Sequence, residues 1–396
     1  MTNHLAAASA PKSHYQLLDG LRGVAALMVV IFHVFEAYSP DHPLTQPINH
    51  GYLAVDFFFL LSGFVIAYAY DDRWGQLSTW DFYKRRLIRL QPMVIMGMTV
   101  GALLFYLQAG DAFPLIEKTS VIKVIGVMLI GYTLLPILPS MDIRGWNEMH
   151  PLDGPAWSLF FEYIANILYA LILRRLSIRT LSVLVFLAAC LLIEVAVFGS
   201  RGDLIGGWSI NGTQLHIGFG RMLFPFMAGM LLMRLGKTIR VPGAFAVCSA
   251  LLIGVFCVPR IGGAGNLWMN GVFEAICVIV VFPIIVAIGA GAGEQHGFTN
   301  RLAGFFGNLS YPLYITHYPL IYIYTQWAGS HHPTVAQGVG YGILLIVAAV
   351  TLAYACLKLY DEPVRGWLAK RFLGKRMRVP PGEAVGGTPE ATSYRS

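Results

Sequence analysis

The stretch LDGLRGVAALMVVIFHVFEAY, residues 18 to 38, is an almost continuous apolar run. An α-helix rises 1.5 Å per residue, so about 20 such residues cross a hydrocarbon core about 30 Å thick. Arg22 lies near one end of this run and His33 lies deep inside it. At about 100° per residue, their spacing places both side chains on the same helix face, about 16 Å apart along the axis. The stretch therefore predicts a membrane helix that carries two ionisable groups on one stripe.

Apolar runs of similar length recur along the chain. The 396 residues are 56% hydrophobic and 12% charged, whereas a soluble domain has roughly 25% charged residues. This composition excludes a soluble globular protein and predicts an all-α polytopic membrane protein with about ten transmembrane helices. The predicted spans are 20–38, 52–70, 90–110, 157–173, 180–199, 215–234, 243–260, 268–290, 305–326 and 337–360.

The basic residues predict the orientation of these spans. The net charge of +7 is distributed in short clusters between the apolar runs and in the tail, so we expect no nucleic-acid partner. Clusters of Lys and Arg face the cytoplasm, and the four clusters lie at 84–89, 174–179, 234–240 and 370–378. All four face one side only if a further run, 120–139, does not cross. We therefore predict a re-entrant or interfacial segment there, with both termini cytoplasmic.

Three regions follow from this pattern. They are a cytoplasmic N-terminal segment, 1–17, a membrane domain, 18–366, and a cytoplasmic tail, 367–396, which is basic and then disordered. The five cysteines lie within apolar runs and lack the spacing of metal ligands, so we predict no metal site.

His33 lies at a depth where an ionisable group is costly unless it faces a cavity or has a partner. Asp56 begins the second span about one turn below the outer surface, at a depth comparable to that of His33. A carboxylate on one ring nitrogen would fix the tautomer and leave the other nitrogen as a base. Glu36, one turn away on the same helix as His33, is the rival partner.

The segment WDFYKRRLIRLQP, residues 80 to 92, predicts an amphipathic entry into the third span with Arg86 and Arg89 on one side. One interpretation is an interfacial helix that binds anionic lipid. The other is a polyanion site, because the planar guanidinium group donates two hydrogen bonds to a phosphate at once. Ser62 and Gly63 form a small step near the midplane of the second span, where a substrate could approach the backbone.

The fourth span carries polar side chains at its outer end. Ser158 and Glu162 lie four residues apart on one helix face, and Trp157 lies at the interface. An intramembrane carboxyl group is a functional candidate by default. We therefore include this face in the predicted site.

Later spans add further candidates. In SYPLYITHYP, residues 310 to 319, Ser310, Tyr314 and His317 fall on one helical stripe between two prolines that bend helices. Arg221 lies in the outer third of the sixth span. These side chains would line a passage through the membrane domain.

Taken in order, these motifs resemble the integral-membrane acyltransferase-3 family, whose members O-acylate surface glycans, exopolysaccharides and lipopolysaccharide O-antigens. The resemblance covers almost the whole chain. The matching elements are Arg22 and His33 with ten residues between them, VDFFFLLSGFVI in the second span, Arg86 and Arg89, Trp157 to Glu162, the Ser310, Tyr311, Tyr314, His317 and Pro319 pattern, and Glu362, Pro363 and Arg365.

The resemblance implies a multi-pass, acyl-coenzyme A-dependent O-acyltransferase of the bacterial cytoplasmic (inner) membrane. No permanently bound cofactor is expected, because acyl-coenzyme A, with acetyl as the first expectation, is the donor substrate. The expected donor-binding residues are Arg22, Arg86, Arg89, Ser62 and Gly63.

The acceptor implied by the resemblance is a carbohydrate or a lipid-linked glycan. His33 would act as general base or as acyl carrier, with Asp56 or Glu162 orienting its imidazole. The expected acceptor or channel-lining residues are Trp157, Ser158, Arg221, Ser310, Tyr311, Tyr314 and His317.

Two questions about partners and function stay open at this point. Some family members carry an SGNH-type esterase domain after the membrane part, whereas this chain ends about 36 residues after its last predicted span. It would therefore act alone or pass its acyl group to a separate periplasmic protein. Membrane lipids are the other expected partner. The alternative function is a proton-coupled transporter, since buried Arg, His, Asp and Glu residues also build proton relays.

Overall fold

The computed structural model describes residues 15–38, 46–263, 265–293 and 297–373. These residues form helices joined by loops, with one isolated bridge between Gly110 and Phe113 and no strand among them. The α-helices within the described residues are α1 Gln16–Tyr38, α2 Ala54–Tyr70, α3 Thr79–Leu103, α4 Val121–Gly131, α5 Ala156–Leu171, α6 Ile178–Ile193, α7 Gly212–Leu235, α8 Ala244–Cys257, α9 Trp268–Ile276, α10 Phe282–Gly291, α11 Gly297–Thr316, α12 Tyr318–His331, α13 Val335–Cys356 and α14 Glu362–Phe372.

Seven helical segments within the described residues are long and apolar enough to cross a membrane. They contain seven of the ten predicted spans, and the other three differ in instructive ways. The helix predicted as 90–110 begins eleven residues earlier, so the amphipathic entry is part of α3 itself. The run 243–260 is the 14-residue α8, and the run 305–326 is interrupted at His317, between α11 and α12. Ten spans and cytoplasmic termini therefore stay predictions.

The segment 120–139 contains the short helix α4. Eleven residues rise only about 16 Å, roughly half of a hydrocarbon core, so this helix does not cross by itself. Residues 132–138 that follow are turn and extended chain. The re-entrant or interfacial placement of this segment stays a prediction, with which its short helix is consistent. The predicted disordered tail from residue 378 and most of segment 1–17 lie outside the described residues.

Glycine allows α2 and α7 to cross in close contact. A Cβ atom on Gly63 would overlap the carbonyl oxygen of Phe226, and one on Gly229 would overlap the carbonyl oxygen of Leu60. Small residues of this kind let two helix backbones approach in a membrane. Gly63 was expected to bind the donor, but the structure places it in this helix crossing.

The interruption at His317 follows from the sequence around it. Pro319 has no backbone N–H group, so it cannot donate to a carbonyl one turn earlier and the helix bends. At the interruption, the His317 ring turns back onto the preceding turn, where its Nδ1 atom lies 3.0 Å from the Leu313 carbonyl oxygen and 2.9 Å from that of Tyr314. The bend thereby fixes the orientation of the His317 ring.

Candidate active site

A cavity of about 610 Å³ lies between α1, α2, α3, α5, α11 and the last helix. Its volume is within the range of about 300–1,000 Å³ typical of small-molecule sites. Along α2 it is lined from Ile66 to Val55, which corresponds to about 16 Å of helix. The charged end is lined by Asp19, Arg22, Arg86, Arg89, Glu162, Asp361 and Arg365, and the aromatic end by Val55, Phe58, Ser158, Leu159 and Tyr314.

Arg22 is held across the cavity wall between α1 and α11. Its Nε atom donates to the Ser310 hydroxyl at 2.8 Å, its Nη2 atom donates to the Gly307 carbonyl oxygen at 3.3 Å, and its Nη1 atom lies 2.8 Å from Asp19 Oδ1. Two residues predicted from separate motifs, Arg22 and Ser310, are thus in direct contact. Tyr311, the next predicted residue, also lines the cavity and donates to the Leu90 carbonyl oxygen at 2.7 Å.

Glu162 joins the motif of α5 to those of α2 and α3. Its Oε1 atom accepts hydrogen bonds from Ser62 Oγ at 2.5 Å, Arg86 Nη2 at 3.0 Å and Asn166 Nδ2 at 3.2 Å. Glu162 was expected to be able to orient His33. Within the described residues its carboxylate is instead committed to the charged end of the cavity, so that expectation is wrong in its geometry.

Arg365 is a cavity residue to which sequence reasoning assigned no role in the site. Its Nη2 atom lies 2.8 Å from Asp361 Oδ2, one turn earlier. Asp361 closes a π-helical turn, Leu357–Asp361, that joins α13 to α14. Within the described residues, Arg86 Nε, Arg365 Nε and Asp361 Oδ1 are buried without a hydrogen-bond partner. Two guanidinium N–H groups at the charged end, Arg86 Nε and Arg365 Nε, therefore have no acceptor among the described residues.

The aromatic end is closed by a hydrogen-bonded pair. The Tyr314 hydroxyl lies 2.7 Å from Ser158 Oγ and 3.2 Å from the Pro155 carbonyl oxygen, and Ser158 Oγ donates to the same carbonyl at 3.0 Å. Phe58 packs edge-on against the Tyr314 ring at 5.5 Å. The stripe predicted in SYPLYITHYP therefore points into the cavity through Ser310 and Tyr314.

His33 and His317 form a pair next to this end. Their rings stack with centroids 5.5 Å apart, and Tyr318 packs edge-on against both. They are not among the residues that line the cavity in the described chain, but the Tyr314 ring, which does line it, lies 6.2 Å from the His317 ring. Nothing in the sequence indicates that these two histidines are neighbours.

Hydrogen bonds determine which ring nitrogen carries the proton in each histidine. His33 Nδ1 lies 2.8 Å from Glu36 Oε2, and His317 Nδ1 faces the two backbone carbonyls described above. Carboxylates and carbonyls only accept, so Nδ1 is the donor in both rings, and in the neutral form of each ring Nε2 carries the lone pair. Among the described residues, His317 Nε2 is buried without a partner. Glu36, the rival partner, is therefore the carboxylate that orients His33.

Asp56 has a different partner from the one predicted. It is fully buried and pairs with the buried Arg221, whose Nη2 and Nε atoms lie 2.6 and 3.2 Å from Asp56 Oδ2. Arg221 also donates to the carbonyl oxygens of Tyr52 and Gly206, and the Trp157 ring lies 5.2 Å from its guanidinium carbon. Arg221 and Trp157 were expected to line the channel. They instead form a buried structural anchor with Asp56, because an unpaired charge there would be costly.

A network in the loop before α5 was missed by the sequence analysis. Glu148 Oε2 accepts a hydrogen bond from the Tyr322 hydroxyl at 2.6 Å, and Arg144 lies over the Tyr322 ring with its guanidinium carbon 3.5 Å from the centroid. Burial raises the pKa of Glu148 to about 7. The Tyr322 ring also packs against Tyr318 at 4.6 Å, so this loop supports the aromatic residue that contacts both histidines. The only signal was an unusually polar loop, RGWNEMHPLDG.

Comparison with known proteins decides the family. The model of the acyltransferase-3 family, described as an acyltransferase domain, matches residues 15–358. The chain belongs to the acyltransferase-3 family. Together with its apolar helices, this membership makes it a multi-pass membrane acyltransferase domain. The family model ends before Arg365, the cavity residue on α14.

Two relatives illustrate the range of the family. The chain is 34% identical over 193 residues to "Protein 2 in picA locus" of Rhizobium radiobacter, covering 48% of the chain and 98% of that protein. It is 25% identical over 386 residues to "O-acetyltransferase OatA" of Staphylococcus aureus, covering 91% of the chain and 59% of that protein. The chain thus spans little more than half the length of the O-acetyltransferase relative. No solved structure matches the chain.

Proposed function

We propose that this acyltransferase moves an acyl group, in the first place acetyl, from acyl-coenzyme A to a hydroxyl group of a carbohydrate or lipid-linked glycan. The observation that carries the proposal is one cavity with arginines at one end and Tyr314 at the other. The Tyr314 ring lies next to His317, which stacks on His33. The name of the Staphylococcus aureus relative supports O-acetylation. We place the enzyme in the bacterial cytoplasmic membrane, with the charged end of the cavity toward the cytoplasm.

The charged end suits the phosphates of coenzyme A. Arg22, Arg86, Arg89 and Arg365 line it from three helices. Guanidinium groups bind phosphate oxygens in pairs and stay charged at any physiological pH. With the phosphates there, the pantetheine arm would extend along α2 and bring the thioester to the aromatic end.

His33 is the proposed general base. Its Nε2 lone pair would take the proton of the acceptor hydroxyl as the oxygen attacks the thioester carbonyl carbon, and Glu36 would stabilise the imidazolium that forms. The carbon–sulfur bond then breaks, and the imidazolium proton of His33 passes to the coenzyme A thiolate, directly or through water, which regenerates the base and releases free thiol toward the cytoplasm. Such proton transfer contributes about 10²- to 10⁴-fold in rate. A two-step mechanism, in which a side chain carries the acyl group before transfer, would use the same cavity and the same histidine.

Purified protein in liposomes tests the proposal. Acetyl-coenzyme A added on one side and a glycan acceptor on the other should give ester on the acceptor and one free thiol per ester. Movement of acceptor across the membrane without loss of thioester would overturn the proposed enzymatic activity and favour a transporter.

In cells, loss of the gene should lower the ester content of a surface glycan, measured by mass or proton spectra. Acceptor acylation that requires an added periplasmic protein would identify that protein as the acyl-transfer partner.

A further inference from the structure

The aromatic end of the cavity is built as a rigid wall. Tyr314 is 5% exposed and Ser158 is 6% exposed, and their hydroxyl groups bond to each other and to the Pro155 carbonyl oxygen as described. Phe58, from α2, packs edge-on against the Tyr314 ring, an arrangement that aromatic pairs prefer. Three elements, α2, α5 and α11, therefore hold the Tyr314 ring in one position.

The remaining lining at this end is apolar. Val55 and Leu159 complete the wall around Phe58 and Tyr314. A thioester donor whose phosphates bind the arginines and whose arm follows α2 would point its acyl group toward this wall. The space in front of Tyr314 is therefore the space into which an acyl chain would extend.

We propose that Tyr314, held by Ser158, sets the length of the acyl group that the enzyme accepts. A short chain such as acetyl ends in front of the ring, whereas each added methylene would have to displace Tyr314 from the Ser158 and Pro155 oxygens or from Phe58. This inference rests on the proposed acyl-coenzyme A donor. It assigns Tyr314 a role in donor specificity, in place of the acceptor-lining role expected from the sequence.

The size of the effect follows from known discrimination in apolar pockets. One extra methylene changes the preference of a site by about 10- to 200-fold. Wild-type enzyme should therefore prefer acetyl- over butyryl-coenzyme A by at least about tenfold. Removing the Tyr314 ring should remove most of that preference, because the extra methylenes would then enter the vacated space.

The test compares Tyr314→Ala with the wild type, using acetyl-, butyryl- and hexanoyl-coenzyme A. The readouts are the ratio of kcat/KM values for two donors and the ratio of their affinities for purified protein in detergent. The ratio of butyryl to acetyl should rise at least about tenfold. Phe58→Ala, on another helix, should shift the ratio of butyryl to acetyl in the same direction. This second variant tests the inference if Tyr314→Ala fails to fold.

Tyr324→Ala is the matched control. It removes another buried tyrosine, 5% exposed, whose hydroxyl also donates to a backbone carbonyl, that of Gly338 at 2.9 Å, but which does not line the cavity. Its donor ratio should equal that of the wild type. A ratio unchanged in both Tyr314→Ala and Phe58→Ala, with acetyl transfer still measurable, would overturn the inference alone. If the wild type binds and consumes no acyl-coenzyme A at all, the proposed function fails instead.

Discussion

The imidazole rings of His33 and His317 stack with their centroids 5.5 Å apart and their planes 28° apart. His33 lies in α1 and His317 lies at the interruption between α11 and α12, 284 positions further along the sequence. Each presents Nδ1–H to an oxygen acceptor. The consequence is a pair of Nε2 lone pairs next to the aromatic end of the cavity. Two imidazole rings, each oriented by a hydrogen bond at Nδ1, are thus in contact with each other.

His33→Gln should abolish acyl transfer, since it removes the proposed base while Gln keeps a polar group of similar size. We expect kcat to fall by about 10²- to 10⁴-fold with little change in acyl-coenzyme A affinity. Ester formation in proteoliposomes and donor binding in detergent measure the two effects. His331→Gln, at an exposed histidine at the end of α12, serves as control and should behave as the wild type. Full activity of His33→Gln would refute the role of His33.

Glu36→Gln should lower kcat by about 10- to 10⁴-fold, because Gln can accept the Nδ1 hydrogen bond but cannot stabilise an imidazolium. Glu36 is on the surface side of the pair, with 40% of its side chain exposed, so the free energy of unfolding should change little. Steady-state kinetics and thermal unfolding in detergent, run on the same preparation, separate the two quantities. An Asp56→Asn variant with the same kinetic defect and unchanged unfolding would restore Asp56 as the partner of His33.

Asp56→Asn is instead expected to destabilise the protein. It leaves the buried Arg221 guanidinium without its carboxylate, which costs about 3–5 kcal/mol in comparable buried pairs. Unfolding in detergent should show the loss. Asp56→Leu combined with Arg221→Met should recover most of the stability, since apolar residues of similar volume can replace a buried ion pair. Equal stability of Asp56→Asn and wild type would contradict the anchor role.

Arg365→Gln should raise the KM for acyl-coenzyme A about tenfold, the effect of losing one charge-assisted hydrogen bond to a phosphate. Arg365→Lys should lie between the two, because an ammonium keeps the charge but loses the planar fork. Arg179→Gln, at an exposed arginine of α6, is the control for net charge. The role of Arg365 in donor binding is excluded if all three proteins bind acyl-coenzyme A equally.

Glu148 predicts a pH dependence of stability. Its carboxyl group ionises near 4.5 in the unfolded chain and near 7 in the folded protein, so between these values the folded form keeps a proton that the unfolded form has lost. The contribution of Glu148 to stability is therefore largest below pH 4.5 and falls as the pH rises through 7, by about 3 kcal/mol in all. Glu148→Gln should be more stable relative to the wild type at pH 8 than at pH 4.5. Melting temperatures of both proteins across this range measure the difference, and parallel curves would contradict it.

Much of the cavity wall was predictable residue by residue. Nine of the predicted site residues line the cavity: Arg22, Ser62, Arg86, Arg89, Ser158, Glu162, Ser310, Tyr311 and Tyr314. Charged and polar groups inside an apolar helix are costly unless they face a cavity or a partner. Their presence in the sequence therefore marks the interior face of each helix before any packing is known.

The pairing of these groups was not predictable to the same extent. The position of Asp56 within its span predicted a depth in the membrane similar to that of His33. It did not predict the rotation of α2 about its axis, which turns Asp56 toward Arg221, 165 positions along the chain. Gly63 shows the same limitation, since a glycine serves a ligand and a neighbouring helix equally well. The contact of α2 with α7 decides between them.

The sequence by itself determined the membrane class, the position of most helices and the set of polar residues that face inward, because the cost of burying charge in an apolar medium acts on each residue separately. Tertiary structure decided which of these residues meet. It paired Arg221 with Asp56, placed Glu36, His33 and His317 in contact, and brought Arg365 and Tyr314 to one cavity. These contacts depend on helix rotation and crossing, which arise from the packing of many side chains at once and leave no local trace in the sequence.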